Sequence, residues 1–462
     1  MSDNLRHMKT PGQIKKGLAD RRRAGWAAAA LFAAAAACGA TNEAERIVRV
    51  GADVRLRYDV TQGLPNAKRG EDPHSDYARI RLRPWIDVGP EGWGLYARLA
   101  DEFRYYRRPV SKNRKQRFPD VVYIDNLYWR QKDLFGFLDL RVGRQDMAFG
   151  AKRIISDGTG GDGSRSAYFD AVRLTAHFDD ARTLDAFALF NGHDDWLPTL
   201  GDEHENGKKP HPYDLNGYGQ DELGAGLYYQ DRSNASLGWD VYYVAKQELR
   251  DHTAKYRAEG RRAQTHTVGF RLLPKFTETL SGELEGAVQA GENSLFAGQG
   301  YAGLTYRPKL GAKPYLTGAV WGLTGDEDGA RSAHAWHAVF NRETGLGEST
   351  APMFEKYNYT NLLYPHLAAG CKTGDAASVK LQAGPLFAPV SEQTGSGDDA
   401  GHFRGAYTQV RCEIALGKLT GSDWMRGGVL SFQGEYLGKG DYFAEGDRNP
   451  ALFGRVQLAW KF

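Results

Sequence analysis

Apolar and polar residues alternate with a period of two along most of the chain. Residues 47–58, 77–88 and 451–462 each place a face of aliphatic and aromatic residues against a face of charged or polar residues. In the first of these segments the two faces are Val48, Val50, Ala52, Val54, Leu56 and Tyr58 against Arg49, Asp53, Arg55 and Arg57. Segments of about ten residues with this pattern are typical of transmembrane β-strands.

Fifteen further segments of the same kind lie near 94–107, 121–131, 137–146, 168–178, 182–191, 222–230, 236–247, 264–273, 278–291, 297–307, 313–324, 357–371, 378–388, 403–417 and 427–437. The connections alternate between tight turns, at 89–92, 178–181 and 372–375, and long polar stretches, at 108–120, 147–167, 192–221 and 325–355. Outer-membrane barrels have short periplasmic turns, long outer loops and an even number of strands. The pattern therefore predicts an all-β fold, a single transmembrane antiparallel β-barrel of about 18 strands with both termini in the periplasm.

A secreted soluble β-protein that binds or cleaves acidic glycans would show similar alternation. A β-helix would repeat every 20 to 30 residues or so, which the sequence does not do, and a sandwich seldom has so many strands. Aromatic pairs are also frequent, and we expect them to form interfacial girdles: Tyr105-Tyr106, Tyr128-Trp129, Tyr228-Tyr229 and Tyr242-Tyr243. The terminal Trp460-Lys461-Phe462 resembles the C-terminal aromatic signal of outer-membrane proteins. These features favour the barrel.

The N-terminal segment is predicted to be a signal peptide, residues 1–40, followed by the barrel at 41–462. A basic region at 6–23 precedes an apolar stretch at 24–37, which is too short to span a bilayer and ends in Cys38-Gly39-Ala40. A lipoprotein signal with Cys38 acylated is the alternative. Export and a barrel together predict the bacterial outer membrane as the location of the protein.

Composition and charge exclude several classes of protein. Hydrophobic residues make up 41% and aromatic residues 12% of the 462 residues, which is too many for a disordered chain. The net charge of +3 argues against a nucleic-acid-binding protein. Residues 1–44 hold seven Lys and Arg and three Asp and Glu, so the rest of the chain holds 53 against 54 and is close to neutral.

Arginine is concentrated on the polar face of the early strands. Of the 35 arginines after residue 44, 20 lie between Arg46 and Arg173. Guanidinium groups bind carboxylates through two hydrogen bonds and stay charged at any physiological pH, so a lumen lined with them favours anions. The predicted pore-lining and substrate-binding residues are Arg83, Arg144, Arg81, Arg79, Arg55, Arg57, Arg98, Arg104 and Arg173. Arg49, Arg130 and Arg141 share this face with the acidic Asp53, Asp87 and Glu102, so part of the set is expected to form structural ion pairs.

The sequence shows no motif for metal binding, phosphate binding or catalysis. The loop at 157–163 lacks the spacing of a calcium or phosphate-binding loop and is predicted to be an outer loop. Scattered histidines and the lack of a GxSxG motif argue against an enzyme, and neither a cofactor nor a metal is expected. Cys371 and Cys412 fall on the fourteenth and sixteenth predicted strands, roughly 10 Å apart at about 4.8 Å per strand, so they should remain free thiols.

Four short segments carry a family resemblance: Leu82-Arg83-Pro84-Trp85, Val142-Gly143-Arg144-Gln145, Phe169-Asp170-Ala171-Val172-Arg173-Leu174 and Gly438-Lys439-Gly440-Asp441-Tyr442-Phe443. In this order they are similar to the alginate export porins of bacterial outer membranes. The resemblance implies an eighteen-stranded monomeric barrel with an arginine-rich constriction, in which Arg83 and Arg144 contribute to a basic pathway for a uronate polymer. The chain departs from the family at Gln457, and at Ser431 or Gln433, where the family has an acidic residue and a pore arginine.

The sequence therefore predicts an outer-membrane porin that passes an anionic, uronate-type polysaccharide or oligosaccharide by passive diffusion. An uptake channel of the same fold for small anionic sugar acids is the alternative. Expected partners are outer-membrane lipids, the anionic saccharide, and periplasmic proteins for export or degradation, without nucleic acid.

Overall fold

The structure is a computed structural model of the chain. It describes residues 47–64, 74–107, 122–156, 168–192, 195–199, 220–251, 264–292, 294–326, 334–341, 346–347, 349–350, 359–391 and 401–462. The predicted signal peptide at 1–40, with Cys38, and the loop at 157–163 lie outside these residues.

In the described part of the chain, eighteen strands form one closed antiparallel sheet. They are β1 (Val48–Gln62), β2 (Ser75–Val88), β3 (Trp93–Tyr106), β4 (Tyr123–Leu134), β5 (Leu138–Gln145), β7 (Phe169–His177), β8 (Arg182–Asn191), β9 (Gln220–Asp231), β10 (Leu237–Asp251), β11 (Gln264–Pro274), β12 (Leu280–Gly291), β13 (Phe296–Tyr306), β14 (Tyr315–Leu323), β16 (Leu362–Thr373), β17 (Ala377–Phe387), β18 (Phe403–Ala415), β19 (Gly428–Lys439) and β20 (Ala451–Lys461). Two short strands, β6 (Ile155–Ser156) and β15 (Phe340–Asn341), lie outside this sheet and pair with each other in parallel.

Each barrel strand pairs with its neighbour along the chain, and β1 also pairs with β20. Every one of the eighteen predicted segments overlaps one barrel strand, so the predicted fold and strand number are confirmed. Differences are confined to the ends: the segment predicted at 357–371 begins at Leu362, and the one predicted at 427–437 extends to Lys439.

The tight turns share one end of the barrel with both described chain ends. In the turn between β7 and β8, the Asp179 carboxylate accepts hydrogen bonds from the Arg182 guanidinium at 2.8 Å and from the backbone N–H of Ala181 at 2.9 Å. These contacts hold the pKa of the Asp179 carboxyl below its ordinary value. A carboxylate that bonds to the backbone two residues further on stabilises the turn, and turn geometry contributes to the register of the two strands.

The alternating pattern separates a lipid-facing surface from a polar lumen. On β1, Leu56 and Val60 are 43% and 46% exposed, whereas the intervening Arg57 and Asp59 are buried. The same alternation places aliphatic side chains on the outside of the other strands, as a bilayer requires. The fold and its apolar exterior confirm the predicted location in the outer membrane.

Only one ring of each aromatic pair lies on the outer face, where interfacial girdles are predicted. Because successive residues of a strand point to opposite faces, one ring of each pair enters the lumen. Tyr243 is 38% exposed on the outer face, but Tyr242 is 2% exposed and donates a hydrogen bond to Glu285 at 3.0 Å. Tyr228 is likewise buried inside and stacks on Tyr242 at 5.3 Å.

The two cysteines within the described residues are free, as predicted. Cys371 on β16 and Cys412 on β18 both lie in register with Val379, on the strand between them. One intervening strand separates them, which confirms the strand count in this part of the barrel.

Two of the long connections are not simply polar outer loops, which corrects the prediction for parts of 147–167 and 325–355. Met147, Phe149 and Ile155 after β5, and Trp336 and Phe340 after β14, are at most 5% exposed and belong to one hydrophobic cluster with lumen-facing residues of the wall. The alternation rule did not reveal this because these apolar residues follow no regular period. We call residues 147–156 the first inner segment and residues 334–341 the second inner segment.

Close backbone approach makes room for the inner segments. A Cβ on Gly224 of β9 would lie 2.5 Å from Phe340 Cζ and 2.9 Å from Leu189 Cγ, so only glycine admits the Phe340 ring here. Gly150 has φ +56° and lies against the Tyr228 hydroxyl, where a side chain would be both strained and obstructed. The wall of the barrel is therefore shaped for these two segments.

Helical structure among the described residues is limited to a five-residue helix, α1 (Leu416–Thr420), and two single 3₁₀ turns, Asp423–Met425 and Glu445–Asp447. None of these is of the length and apolarity needed to cross a membrane.

Candidate functional site

The lumen face of β1 to β3 carries more arginines than carboxylates. Cross-strand register places Arg57 beside Arg79 and Arg79 beside Arg104. The lumen-facing charged residues of these three strands are Arg49, Arg55, Arg57, Arg79, Arg81, Arg83, Arg98 and Arg104 against Asp53, Asp59, Asp87 and Glu102. Eight cations against four anions leave this wall positively charged.

Ion pairs hold the centre of this wall in a fixed arrangement. Asp53 bridges two arginines, accepting from Arg81 at 3.2 Å and from Arg83 at 3.0 Å. Glu102 bridges two more, Arg55 at 3.4 Å and Arg79 at 3.3 Å. Each of these two carboxylates is shared by two guanidinium groups. Arg79 also lies 3.7 Å from Asp59, and Arg83 lies 3.7 Å from Asp125 of β4.

The wall continues across the seam where the barrel closes. Arg57 donates to Gln457 of β20 at 2.9 and 2.7 Å. Arg455 of β20 pairs with Asp59 of β1 at 2.6 and 3.0 Å. Gln457 therefore anchors the Arg57 guanidinium through a neutral oxygen, and the acidic partner at the seam is Asp59.

Arg98 of β3 links this ion-pair network to β4 and to the residue that follows β5. Its guanidinium pairs with Asp125 at 2.5 Å and with Asp146 at 2.7 Å. Asp125 is fully buried and sits at the irregularity in pairing between β3 and β4. A bulge inserts one extra residue, which here turns a carboxylate into the lumen.

Arg144 occupies a different environment from the arginines of β1 to β3. It is 1% exposed and pairs with Asp170 and Asp195, both at 2.8 Å, while its guanidinium lies 3.6 Å from the centre of the Tyr168 ring. Trp196 donates to Asp170 at 2.6 Å. Arg144 thus ties the connection after β8 to the start of β7, and its predicted contact with a substrate stays a prediction.

Among the nine predicted site residues, Arg104 and Arg173 are the most open to the lumen. Arg104 is exposed and lies 5.5 Å from the centre of the Tyr77 ring. The Arg173 side chain is 23% exposed, pairs with Asp185 at 2.8 Å and lies 4.9 Å from the Phe149 ring. By contrast, Arg55, Arg57, Arg79, Arg81 and Arg83 are 4–5% exposed.

The side of the lumen opposite this wall is lined by aromatic rings. Counted around the closed ring, β13 lies nine strands from β3 in either direction. The lumen faces of β13, β14 and β16 carry Tyr301, Trp321, Tyr364 and His366, of which Tyr364 and His366 stack at 4.4 Å. Gln382 of β17 donates to the Tyr364 hydroxyl at 3.1 Å. A ring and amide surface thus faces the arginine wall.

The first inner segment crosses the lumen between these two walls. It leaves the barrel at the end of β5, yet Arg153 reaches β12, six strands further around, where it pairs with Glu283 at 2.8 Å and with Glu285. Its guanidinium also lies 3.8 Å from the centre of the Tyr301 ring. The second inner segment joins it through a backbone hydrogen bond from Phe340 to Ile154 at 3.1 Å. Together the two segments narrow the lumen.

Arg153 and the ring surface were not predicted from the sequence. Arg153 lies in a stretch without alternation, so nothing in the local pattern assigns it to the lumen. Tyr301, Trp321 and Tyr364 each fall on the lumen parity of their strands, so the alternation places them inside the barrel. Their position side by side comes from the register between β13, β14 and β16.

Comparisons with known proteins support the fold. No protein-family model matches the chain, and no curated protein matches it. Among solved structures, a BenF-like porin from Pseudomonas fluorescens Pf-5 is similar with a TM-score of 0.56 at 9% identity, over 90% of this chain and 98% of that one. The outer membrane protein OpdK from Pseudomonas aeruginosa is similar with a TM-score of 0.54 at 12% identity, over 89% and 98%. OpdK with vanillate is similar with a TM-score of 0.53 at 11% identity, over 89% and 98%. This chain shares the barrel fold of outer-membrane porins.

Proposed function

We propose that the protein is an outer-membrane channel that passes small anionic solutes, sugar acids among them, by passive diffusion. The observation that carries the proposal is the excess of arginine on the lumen face of β1 to β3, where eight arginines lie on the same face as four carboxylates. A wall with an excess of one charge in a narrow space raises the local concentration of ions of the opposite charge. Arginine in particular binds carboxylates with two hydrogen bonds.

The opposite wall supports a solute with a ring. Aromatic side chains present flat apolar faces with polar edges, which suit the two faces of a sugar ring. Tyr301 and His366 are partly exposed to the lumen across from the arginines. A sugar acid presents a carboxylate to one wall and a ring face to the other.

The inner segments favour small solutes over a polymer. Their pairing at Phe340 and the Arg153 contact with β12 place protein across the lumen. The resemblance to alginate export porins implies passage of a uronate polysaccharide, but a polymer would need an unobstructed lumen. The solved porins of similar fold also support a solute channel and not an enzyme. We therefore propose that the channel is a monomer and that its direct partners are the membrane lipids and the solute.

Liposome swelling tests the proposal. Proteoliposomes are placed in iso-osmotic galacturonate, galactose or a hexameric oligouronate, and the rate of entry of each is measured. Faster entry of galacturonate than of galactose, with the hexamer excluded, is expected. Equal rates for the two monosaccharides would contradict anion selection, and rapid entry of the hexamer would favour polysaccharide transport.

A pair of arginine variants localises the effect. Arg104→Gln removes an exposed cation from the lumen and should lower the ratio of galacturonate to galactose entry. Arg182→Gln removes a cation from a tight turn outside the lumen and should leave this ratio unchanged. Equal effects of the two substitutions would assign the selectivity to the overall charge of the protein and not to the lumen wall.

A further inference from the structure

The connection between β18 and β19 differs from the other turns at its end of the barrel. The turn between β16 and β17 has three residues, 374–376, and that between β4 and β5 has three, 135–137, whereas β18 and β19 are joined by residues 416–427. This connection contains α1 and the 3₁₀ turn at Asp423–Met425. Its last residue accepts a hydrogen bond from the backbone of Lys461 at 3.2 Å, which fixes it beside the end of β20.

Local hydrogen bonds give the connection a defined shape. Gly421 ends α1 with φ +67° and donates to the Gly417 carbonyl at 2.9 Å. The Thr420 hydroxyl donates to the Leu416 carbonyl at 2.8 Å, and Arg426 pairs with Asp423. A connection that needed only to reverse the chain would not require twelve residues with this much internal bonding.

Despite this order, the connection exposes two large apolar side chains. Leu419 is 62% exposed and Trp424 is 69% exposed. The Trp424 ring lies 4.8 Å from the ring of Trp460, which in turn stacks on Phe462 at 5.8 Å. Trp460 has the parity of Leu452 and Val456, which are 42% and 46% exposed on the lipid face of β20. Trp424 therefore lies outside the barrel and continues its apolar surface.

We propose that residues 416–427 form a membrane anchor that inserts Trp424 and Leu419 into the interface of the periplasmic leaflet. The two side chains extend the apolar surface that the lipid covers at Trp460. Tryptophan is enriched at the boundary between headgroups and acyl chains, because its ring is apolar and its N–H is polar. Lys418, exposed next to Leu419, is placed to reach lipid phosphates. The anchor holds the periplasmic end of the β18–β20 wall at a fixed depth.

Fluorescence quenching in nanodiscs tests the anchor, since both faces of the bilayer are then open to solutes. The full-length protein and its Trp424→Phe variant are compared, and the difference in emission reports on Trp424. Phosphatidylcholine brominated at the upper acyl carbons quenches from the bilayer, and iodide quenches from water. The expected result is loss of the Trp424 signal in brominated lipid and its retention in iodide.

A matched control and a second probe keep the result interpretable. Trp196, 65% exposed on the connection after β8, is compared through Trp196→Phe and should show the opposite pattern, with iodide quenching. Leu419→Trp in the Trp424→Phe background places a new probe on the same anchor and should again be quenched by brominated lipid. Quenching of both anchor probes by iodide, to the extent seen for Trp196, would overturn the proposal and leave the surface open to a periplasmic protein.

Discussion

Arg153 is the residue whose removal should most clearly release the inner segments. It pairs with two carboxylates of β12, Glu283 and Glu285. Arg153→Ala leaves Glu285 without a cation, whereas Glu283 keeps Arg271 at 3.0 Å. Glu285 is 3% exposed and still accepts a hydrogen bond from Tyr242.

The free-energy cost of Arg153→Ala follows from these contacts. Removing one partner of a buried ion pair costs roughly 3 to 5 kcal/mol, because the other charge stays buried. One of the two carboxylates retains a cation and the other retains a hydroxyl donor, so we expect the lower end, about 3 kcal/mol. At about 1.4 kcal/mol per tenfold change, the ratio of displaced to seated inner segment should rise about 150-fold.

Single-channel recording in planar bilayers measures this change. Arg153→Ala should show frequent transitions to a higher conductance that wild-type channels visit rarely. The double variant Arg153→Ala with Glu285→Gln removes the unpaired charge and should return the channel toward the wild-type pattern. Identical conductance traces for wild type and Arg153→Ala would show that the ion pairs of Arg153 do not hold the inner segment, which would then be held by its apolar contacts alone.

Three further predictions concern packing and pairing. Trp336, which is 2% exposed, belongs to the hydrophobic cluster of the inner segments. Trp336→Ala should destabilise the protein by about 3 to 5 kcal/mol, read as a lower temperature of the shift in migration on SDS gels. An unchanged temperature would mean that the second inner segment does not pack there. Asp59→Asn should lower the stability of the barrel at the β1–β20 seam by about 3 kcal/mol, because Arg455 stays buried without this carboxylate. The double variant Asp59→Asn with Arg455→Gln should recover most of this stability. Equal losses of stability for the single and the double variant would show that the pair is not coupled. Cys371 and Cys412 should both be alkylated by a membrane-permeant maleimide without prior reduction, and a mass that shows a bridge between them would contradict the strand order.

The barrel was predictable because its main signal is local. A strand exposed to lipid on one side and water on the other must alternate, as at Leu56 and Arg57, and eighteen such segments with alternating turn lengths leave few other folds. The identity of the lumen wall followed directly, since residues of equal parity share a face. The register also followed closely enough to separate Cys371 from Cys412 correctly.

The contents of the lumen were not predictable in the same way. Which arginines pair, and with what, depends on contacts between distant parts of the chain: Asp59 meets Arg455 and Arg144 meets Asp195. The position of Phe340 against Gly224 joins residues more than a hundred positions apart and carries no periodic signature. Alternation identifies the face of a wall residue, but it does not describe segments that leave the wall.

Whether the wall of β1 to β3 selects anions is measured by the zero-current potential of the wild-type channel across a bilayer with a gradient of potassium chloride. An arginine-rich lumen predicts a potential whose sign corresponds to a preference for chloride, and this preference should shrink as ionic strength rises and screens the wall. A potential of the opposite sign, showing a preference for potassium, would contradict the assignment of the β1 to β3 wall as an anion-selecting surface.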